Sequence, residues 1–124
     1  MASKLTLYFA PGSPPARACL MLIRKMKLDV DVKMVDLSAM EHHSKEYKKL
    51  NPLKKVPVLV DNDFVLTESR AILAYLVNSR QPGSSLYPTE AQTRARIDQR
   101  LYFDATEVFG CISTIVVSRL SYQL

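Results

Sequence analysis

A proline enters an apolar run of strand-forming residues in the segment Val56-Pro57-Val58-Leu59-Val60. Proline has no N–H to donate to a sheet, so it belongs at strand starts, edges or bulges. If the Val56–Pro57 peptide bond is cis, the N–H and C=O of Val56 can face outward. An extended peptide could then pair with this backbone as an additional strand. The sequence therefore predicts a binding edge for a peptide-like ligand beside Pro57.

Two predicted helices begin at a serine, and both beginnings are suited to an anion. Ser13 precedes Pro14 at the start of the first helix, and Glu68-Ser69 stand where a later strand meets a helix. Unsatisfied N–H groups and the helix dipole favour negative charge at a helix N-terminus. Serine is also a good N-cap, so plain helix capping is the alternative interpretation at both places.

The elements that must position these residues alternate between strand and helix. A strand from Lys4 to Phe9 ends at the turn pair Pro11-Gly12, and a helix capped by Ser13 follows. A strand–helix–strand order predicts a parallel strand pair with a right-handed crossover. The other predicted elements are a strand from about Val30 to Val35, a short helix from Ser44 to Leu50, a hairpin of Val58 to Val60 and Phe64 to Leu66, and a helix from Ser69 to about Arg80.

A Pro/Gly/Ser cluster after residue 81 predicts a linker and a domain boundary. We predict a first domain over residues 1–81, a linker over 82–89 and the start of a second domain over 90–124. The segment Thr89-Glu90-Ala91-Gln92 matches a capping box, so one long helix should begin there with Thr89 as its N-cap. Its apolar stripe must face the first domain, a second copy of the chain or helices that the chain lacks, and runs through Leu101, Ala105, Val108, Phe109, Ile112 and Ile115 or Val116.

Composition excludes several classes of function. The 124 residues are 48% hydrophobic, which suits a folded core and argues against disorder. The formal net charge is +5, but the basic residues are scattered, which argues against nucleic-acid binding and favours a small anionic ligand. No apolar run reaches the ~18 residues of a membrane-spanning helix. Cys19 and Cys111 are far apart and lack the spacing of a zinc site, so we expect a cytoplasmic protein without a metal.

Several short motifs occur in a characteristic order. They are Tyr8-Phe9-Ala10-Pro11-Gly12-Ser13, Glu41-His42, Leu50-Asn51-Pro52, Val56-Pro57-Val58-Leu59, Glu68-Ser69-Arg70-Ala71-Ile72, Ser85-Leu86-Tyr87-Pro88 and Gln99-Arg100-Leu101-Tyr102-Phe103-Asp104. Together they resemble an insect-type cytosolic glutathione S-transferase of the delta/epsilon classes, over the chain to about Val108. The resemblance implies an α/β fold: a thioredoxin-like N-terminal domain of βαβ-α-ββα order with a mixed sheet, then the start of an all-α domain. It also implies glutathione as co-substrate and a homodimer.

The resemblance implies a catalytic role for Ser13. A thiol is mostly protonated at neutral pH, whereas the thiolate is the nucleophile. The Ser13 hydroxyl and the helix N-terminus would stabilise the glutathione thiolate. Val56 would pair through its backbone with the cysteinyl segment of glutathione beside Pro57. Other transferase classes use a tyrosine hydroxyl near the end of the first strand, so Tyr8 is an alternative to Ser13. It is the weaker one, because the motif pattern resembles the classes that use a serine.

The resemblance also implies contacts for the two ends of glutathione. Ser69 would hold the γ-glutamyl carboxylate, Glu68 would pair with the adjacent ammonium, and Arg70 would contact the same end or a dimer interface. His42 matches a family histidine near the glycyl carboxylate. Lys54 stands where the family usually has another histidine, and it offers a flexible point charge rather than a directed imidazole donor.

Two functions of different classes follow. The first is a glutathione transferase that conjugates glutathione to small apolar electrophiles, as in detoxification. Members of the family continue for several more helices, so the electrophile site of a truncated helical domain would be incomplete. The alternative is therefore a catalytically weak glutathione-binding or interaction module. A thioredoxin-like redox protein is disfavoured, because Ser13-Pro14-Pro15-Ala16 has no cysteine where that chemistry needs one.

Overall fold

The computed structural model describes residues 4–121 and confirms the predicted α/β order of elements. A 3₁₀ turn spans Glu41–His43 and a π-helical turn spans Asp104–Val108. The strands and helices are β1 (Leu5–Phe9), α1 (Pro14–Lys25), β2 (Val30–Met34), α2 (Lys45–Leu50), β3 (Val58–Asp61), β4 (Phe64–Thr67), α3 (Ser69–Arg80), α4 (Ala91–Phe103) and α5 (Phe109–Ser121). Among residues 4–121, none of the helices combines the length and apolar character that a membrane crossing requires.

The four strands form one mixed sheet in the order β2-β1-β3-β4. Strand β1 runs parallel to β2, with Leu7 opposite Val32, and antiparallel to β3, with Leu7 opposite Leu59. Strand β4 pairs antiparallel with β3 as a hairpin. The predicted parallel pair and hairpin are therefore confirmed, and each strand ends within one residue of its predicted limit.

Alternation along β1 divides the sheet between two packed faces. Leu5 and Leu7 point to a core that contains Cys19 of α1 and Ile72 of α3. On the other face, a smaller core contains Val35, Tyr47 and Val58, and Tyr8 packs against it. The sheet is thus covered by α1 and α3 on one side and by α2 on the other, which leaves the helix N-termini and the α2–β3 loop to shape a site.

The predicted capping box at residue 89 is wrong by one residue. Glu90 is the N-cap of α4, and its two carboxylate oxygens accept hydrogen bonds from the N–H groups of Gln92 at 2.9 Å and Thr93 at 2.8 Å. A carboxylate satisfies two N–H groups with separate oxygens, whereas the single hydroxyl of Thr89 has only one oxygen to offer. These bonds lower the pKa of Glu90, the bond from the Gln92 N–H contributing most.

The predicted single α-helix is interrupted. Between α4 and α5 the N–H of Phe109 donates to the carbonyl of Asp104, five residues back, instead of four. The apolar stripe divides in the same way. Ile97 of α4 packs against the main core, whereas Ile112 and Ile115 of α5 are 48% and 57% exposed. The first part of the long helix therefore packs against the main core, whereas Ile112 and Ile115 of α5 stay about half exposed.

Arg94 fastens the predicted linker to the elements on either side. Its Nε donates to the Pro88 carbonyl at 2.7 Å, and its Nη2 donates to Asn78 Oδ1 at 2.9 Å. The guanidinium also lies 4.2 Å from the centre of the Tyr87 ring, and the Tyr87 hydroxyl donates to Asp98 at 2.6 Å. The linker is thus packed onto α3 and α4, and the division into domains stays a prediction.

Candidate functional site

One cavity of about 470 Å³ brings together the eight residues predicted to bind or activate glutathione. It lies between the N-termini of α1 and α3, the α2–β3 loop, the 3₁₀ turn and the start of α5. The predicted residues that line it are Ser13, His42, Lys54, Val56, Pro57, Glu68, Ser69 and Arg70. Tyr8 is not among the lining residues, because it lies on the α2 face of the sheet, where its ring contacts that of Tyr47.

Ser13 caps α1 and keeps a proton to donate. Its Oγ accepts a hydrogen bond from the N–H of Ala16 at 3.3 Å, which uses one lone pair and leaves the O–H free to serve as a donor. Pro14 and Pro15 carry no N–H, and the Arg17 N–H donates to the Ser13 carbonyl. The first turn of α1 therefore offers a positive potential but no spare N–H, so the Ser13 hydroxyl is the donor that this helix end presents.

The α2–β3 loop forms one wall of the cavity. The Val56–Pro57 peptide bond is cis, as the binding-edge interpretation required. Val56 is half-buried and Pro57 is buried, and both line the cavity. Lys54 adopts a left-handed backbone with φ of 55°. Such a conformation is unusual for a residue with a Cβ, so the surrounding structure must hold it.

The turn between β4 and α3 presents Glu68 in a strained conformation. Its φ of 67° and ψ of 108° lie outside the helical and strand regions, and its side chain makes no capping bond. Residues held in such regions cost roughly 1–3 kcal/mol and cluster at ligand-binding sites. Ser69, in contrast, is 3% exposed and lies at the first position of α3. The Glu68 side chain therefore does not act as a helix cap for α3.

Arg70 reaches from α3 to the long helix. Its Nε donates to Asp104 Oδ2 at 2.7 Å and its Nη1 donates to Ser69 Oγ at 2.9 Å. Its guanidinium also lies 5.3 Å from the centre of the Phe109 ring. Arg70 thus contacts Ser69 at the start of α3 and is held there by Asp104 and Phe109 of the long helix.

The π-helical turn explains why Asp104 and Phe109 both meet Arg70. In a regular α-helix, residues five apart point about 140° away from each other, since each residue turns the helix by ~100°. The wider turn over Asp104–Val108 brings the two side chains back toward one side. Asp104 belongs to one of the sequence motifs, but no role was predicted for it. The available signal was an acidic residue three positions after Leu101, on the apolar stripe.

His42 contributes an unsatisfied polar atom to the cavity. Its Nδ1 is buried and has no hydrogen-bond partner among the described residues. The ring stacks edge-on against His43, with centres 4.4 Å apart. The pKa of His43 is lowered, first by lost hydration and then by the positive charges of His42, Lys54 and Lys48. This corner of the cavity is therefore electropositive and holds a buried group that a ligand can satisfy.

Other lining residues were missed as site residues. Asn51 is 4% exposed and lines the cavity, and its amide is hydrogen-bonded to the Lys55 carbonyl and the Leu53 N–H. Leu37, Ala105 and Phe109 add an apolar wall. The available signal for Asn51 was an amide directly after a short predicted helix and before Pro52. The apolar wall had none, because the stripe on the long helix does not reveal which of its members line a cavity.

Cys19 is a buried core residue of α1. Its thiol donates weakly to the Ser69 carbonyl at 3.7 Å, and burial raises its pKa to about 12. A thiol with so high a pKa stays protonated and unreactive at neutral pH. The chemistry of the cavity therefore does not come from the chain's own buried cysteine.

Comparison with known proteins matches this geometry to a family. Residues 3–78 match the family model for the N-terminal domain of glutathione S-transferase. Over 110 residues the chain is 45% identical to glutathione S-transferase 1 of Manduca sexta. This alignment covers 87% of the chain and 50% of the Manduca protein. The chain thus spans about half the length of this curated relative.

Two solved structures show the same fold. An epsilon-class glutathione S-transferase from the housefly Musca domestica is 40% identical with a TM-score of 0.89, covering 97% of this chain and 55% of its own. A glutathione transferase homolog from Drosophila mojavensis, solved with bound glutathione, is 41% identical with a TM-score of 0.82, covering 85% and 48%. Because residues 3–78 match the family model and the solved relatives share the fold around the cavity, the chain belongs to the glutathione S-transferase family.

Proposed function

We propose that the chain binds glutathione in this cavity and activates its thiol as a glutathione transferase. The observation that carries the proposal is the meeting of Ser13, the edge at Val56–Pro57 and the Glu68-Ser69 turn around one cavity. These groups supply a donor for sulfur, a backbone edge for a peptide and a site for a carboxylate. The relative from Drosophila mojavensis, which was solved with glutathione, supports the choice of ligand.

At the thiol, the Ser13 hydroxyl donates a hydrogen bond to sulfur and favours the thiolate over the thiol. The thiol proton leaves to solvent. The sulfur then forms a bond to an electrophilic carbon, and the leaving group departs with its electron pair. The enzyme's contribution is a higher thiolate fraction and a fixed position for the sulfur.

The two charged ends of glutathione are assigned to opposite sides of the cavity. Ser69 and the N-terminus of α3 bind the γ-glutamyl carboxylate, Glu68 pairs with the adjacent ammonium, and Arg70 supports this end. His42 and Lys54 bind the glycyl carboxylate. The buried Nδ1 of His42 and the positive charges around it support that assignment.

Small apolar electrophiles are the second substrate that we propose. Leu37, Ala105 and Phe109 provide an apolar wall on the same cavity.

A catalytically weak glutathione-binding module is the second candidate. It is favoured by the exposure of Ile112, Ile115 and Val116, since a complete electrophile site would cover such residues.

We also propose that the protein is a cytoplasmic homodimer. Apolar side chains remain exposed on β4 and on the long helix, including Phe64 at 48% and Phe103 at 53%, which supports association with a second copy. The two cysteines are unpaired, which suits a reducing compartment.

Retention on immobilised glutathione and turnover of a generic aryl halide test the proposal. We expect Ser13→Ala to lower kcat/KM at neutral pH about 10- to 100-fold, because one charge-assisted hydrogen bond to the thiolate is lost. The rise of activity with pH should move to higher pH, since more base is then needed to form the thiolate.

Glu90→Ala is the control for loss of a helix cap. Glu90 caps α4 by accepting from the Gln92 and Thr93 N–H groups at 2.9 and 2.8 Å, as Ser13 caps α1, but it does not line the cavity. Equal losses of activity in the two variants would assign Ser13 to capping alone. Retention without turnover in the parent chain would favour the binding module, and no retention would refute both candidates.

A further inference from the structure

A buried hydrogen-bond network joins α2 to the cavity wall. Tyr47 is 5% exposed and Asn51 is 4% exposed. The Tyr47 hydroxyl donates to the Lys55 carbonyl at 2.8 Å, and Asn51 Nδ2 donates to the same oxygen at 3.0 Å. Burial raises the pKa of Tyr47 to about 12, so its hydroxyl remains a donor at neutral pH. Two buried side chains thus fix one backbone carbonyl.

Asn51 also closes the turn on the other side of this carbonyl. Its Oδ1 accepts from the Leu53 N–H at 3.0 Å, and its backbone carbonyl accepts from the Lys54 N–H at 2.9 Å. These bonds surround Lys54, whose left-handed φ of 55° is unfavourable for a residue with a Cβ. Asn51 therefore stabilises the conformation from which the Lys54 side chain extends.

The fixed carbonyl determines where the next N–H points. The Lys55 carbonyl and the Val56 N–H belong to one planar trans peptide unit, so they point in opposite directions. Because the carbonyl is bonded to Tyr47 and Asn51, the Val56 N–H is directed away from α2. Lys55 and Val56 both line the cavity.

We propose that Tyr47 and Asn51 are positioning residues for glutathione. They hold the Val56 backbone in the orientation that pairs with the cysteinyl segment, and they hold Lys54 at the glycyl carboxylate. Neither touches the reacting sulfur. This inference rests on the proposed function, because it assumes that the cavity binds glutathione.

The test compares two variants that each remove one buried tyrosine hydroxyl. Tyr47→Phe removes the bond to Lys55 and keeps the ring. Tyr87→Phe is the control, since Tyr87 is 9% exposed and its hydroxyl donates to Asp98 at 2.6 Å away from the cavity. Titration calorimetry gives the Kd for glutathione, and thermal unfolding gives the Tm of each variant.

We expect both variants to lower the Tm and only Tyr47→Phe to weaken glutathione binding, by about 3- to 10-fold, since one hydrogen bond is lost. Asn51→Asp should weaken binding more, because a carboxylate replaces the donor that faces the Lys55 carbonyl. Unchanged affinity in a folded Tyr47→Phe variant would overturn the proposal. Absence of binding by the parent chain would instead refute the proposed function, and the positioning role with it.

Discussion

At the scale of single residues, one side chain of the site can both cap a helix and donate a hydrogen bond to a ligand. The Ser13 hydroxyl accepts a bond from the Ala16 N–H and keeps its proton for a ligand. Capping and thiolate stabilisation, which are alternatives when only the sequence is considered, are therefore compatible in one side chain. Cys19 shows the opposite case, because burial leaves its thiol with a packing role only.

Cys19 makes stability depend on alkaline pH. Its pKa is raised from 9.0 to about 12 in the folded chain, so between these values the unfolded chain loses a proton that the folded chain keeps. The free energy of unfolding should therefore fall as pH rises above about 9 and should not change below it on this account. Urea unfolding across this range measures the effect.

Cys19→Ala should flatten this alkaline dependence, although it also leaves a small cavity. Cys111→Ala is the control, because Cys111 is exposed. Identical pH dependence in the parent chain and both variants would show that Cys19 is accessible to solvent. Tyr47, whose pKa is raised to about 12, adds a similar loss that begins at higher pH and persists in both variants.

At the scale of elements, the long helix contacts α3 through the residues that flank its π-helical turn. Asp104 and Phe109 flank that turn and both meet Arg70, which in turn donates to Ser69. The segment after the linker therefore supports the part of the cavity to which we assign the γ-glutamyl end, as well as packing against the core.

Asp104→Asn should weaken glutathione binding about 3- to 10-fold. The Asp104 side chain is 49% exposed and Arg70 is 17% exposed, so solvent screens the ion pair and its loss costs only about 1 kcal/mol. Calorimetric titration with glutathione measures the change. Glu107→Gln is the control, because it removes the same charge from the same helical turn. Equal affinities in the two variants would mean that Arg70 does not need its carboxylate partner.

At the scale of the whole molecule, apolar surface is unevenly covered. Arg94 fastens the linker, and Ile97 buries the first part of the long helix against the core. Ile112 and Ile115 on α5 remain about half exposed. An exposed apolar face of this kind favours association with another surface.

We expect the chain to self-associate through α5. Sedimentation velocity should show a sedimentation coefficient that rises with protein concentration. Replacing Ile112 and Ile115 together with glutamine should reduce this rise, because less apolar surface is then removed from water. Replacing Thr106 and Thr114 with glutamine is the control on the same helical segment. A monomer at every concentration, or equal behaviour of both double variants, would contradict this role for α5.

The sequence alone determined the order of the elements and singled out eight residues that the fold gathers around one cavity. Local chemistry is sufficient for the elements: Ser13 and Pro14 start α1, and period-two alternation marks β1. The order of motifs predicted the residues that the fold gathers around one cavity. Local signals were less reliable where neighbours compete, as when Glu90 replaced Thr89 as the N-cap of α4.

Only the tertiary structure decided how these residues are held. The pairing of Arg70 with Asp104 joins residues 34 positions apart across two helices, and the π-helical turn that permits it leaves no mark in the sequence pattern. The buried Nδ1 of His42 and the doubly bonded carbonyl of Lys55 likewise depend on which atoms lose water when the elements pack. Desolvation and long-range contact are properties of the packed chain, so local sequence patterns cannot specify them.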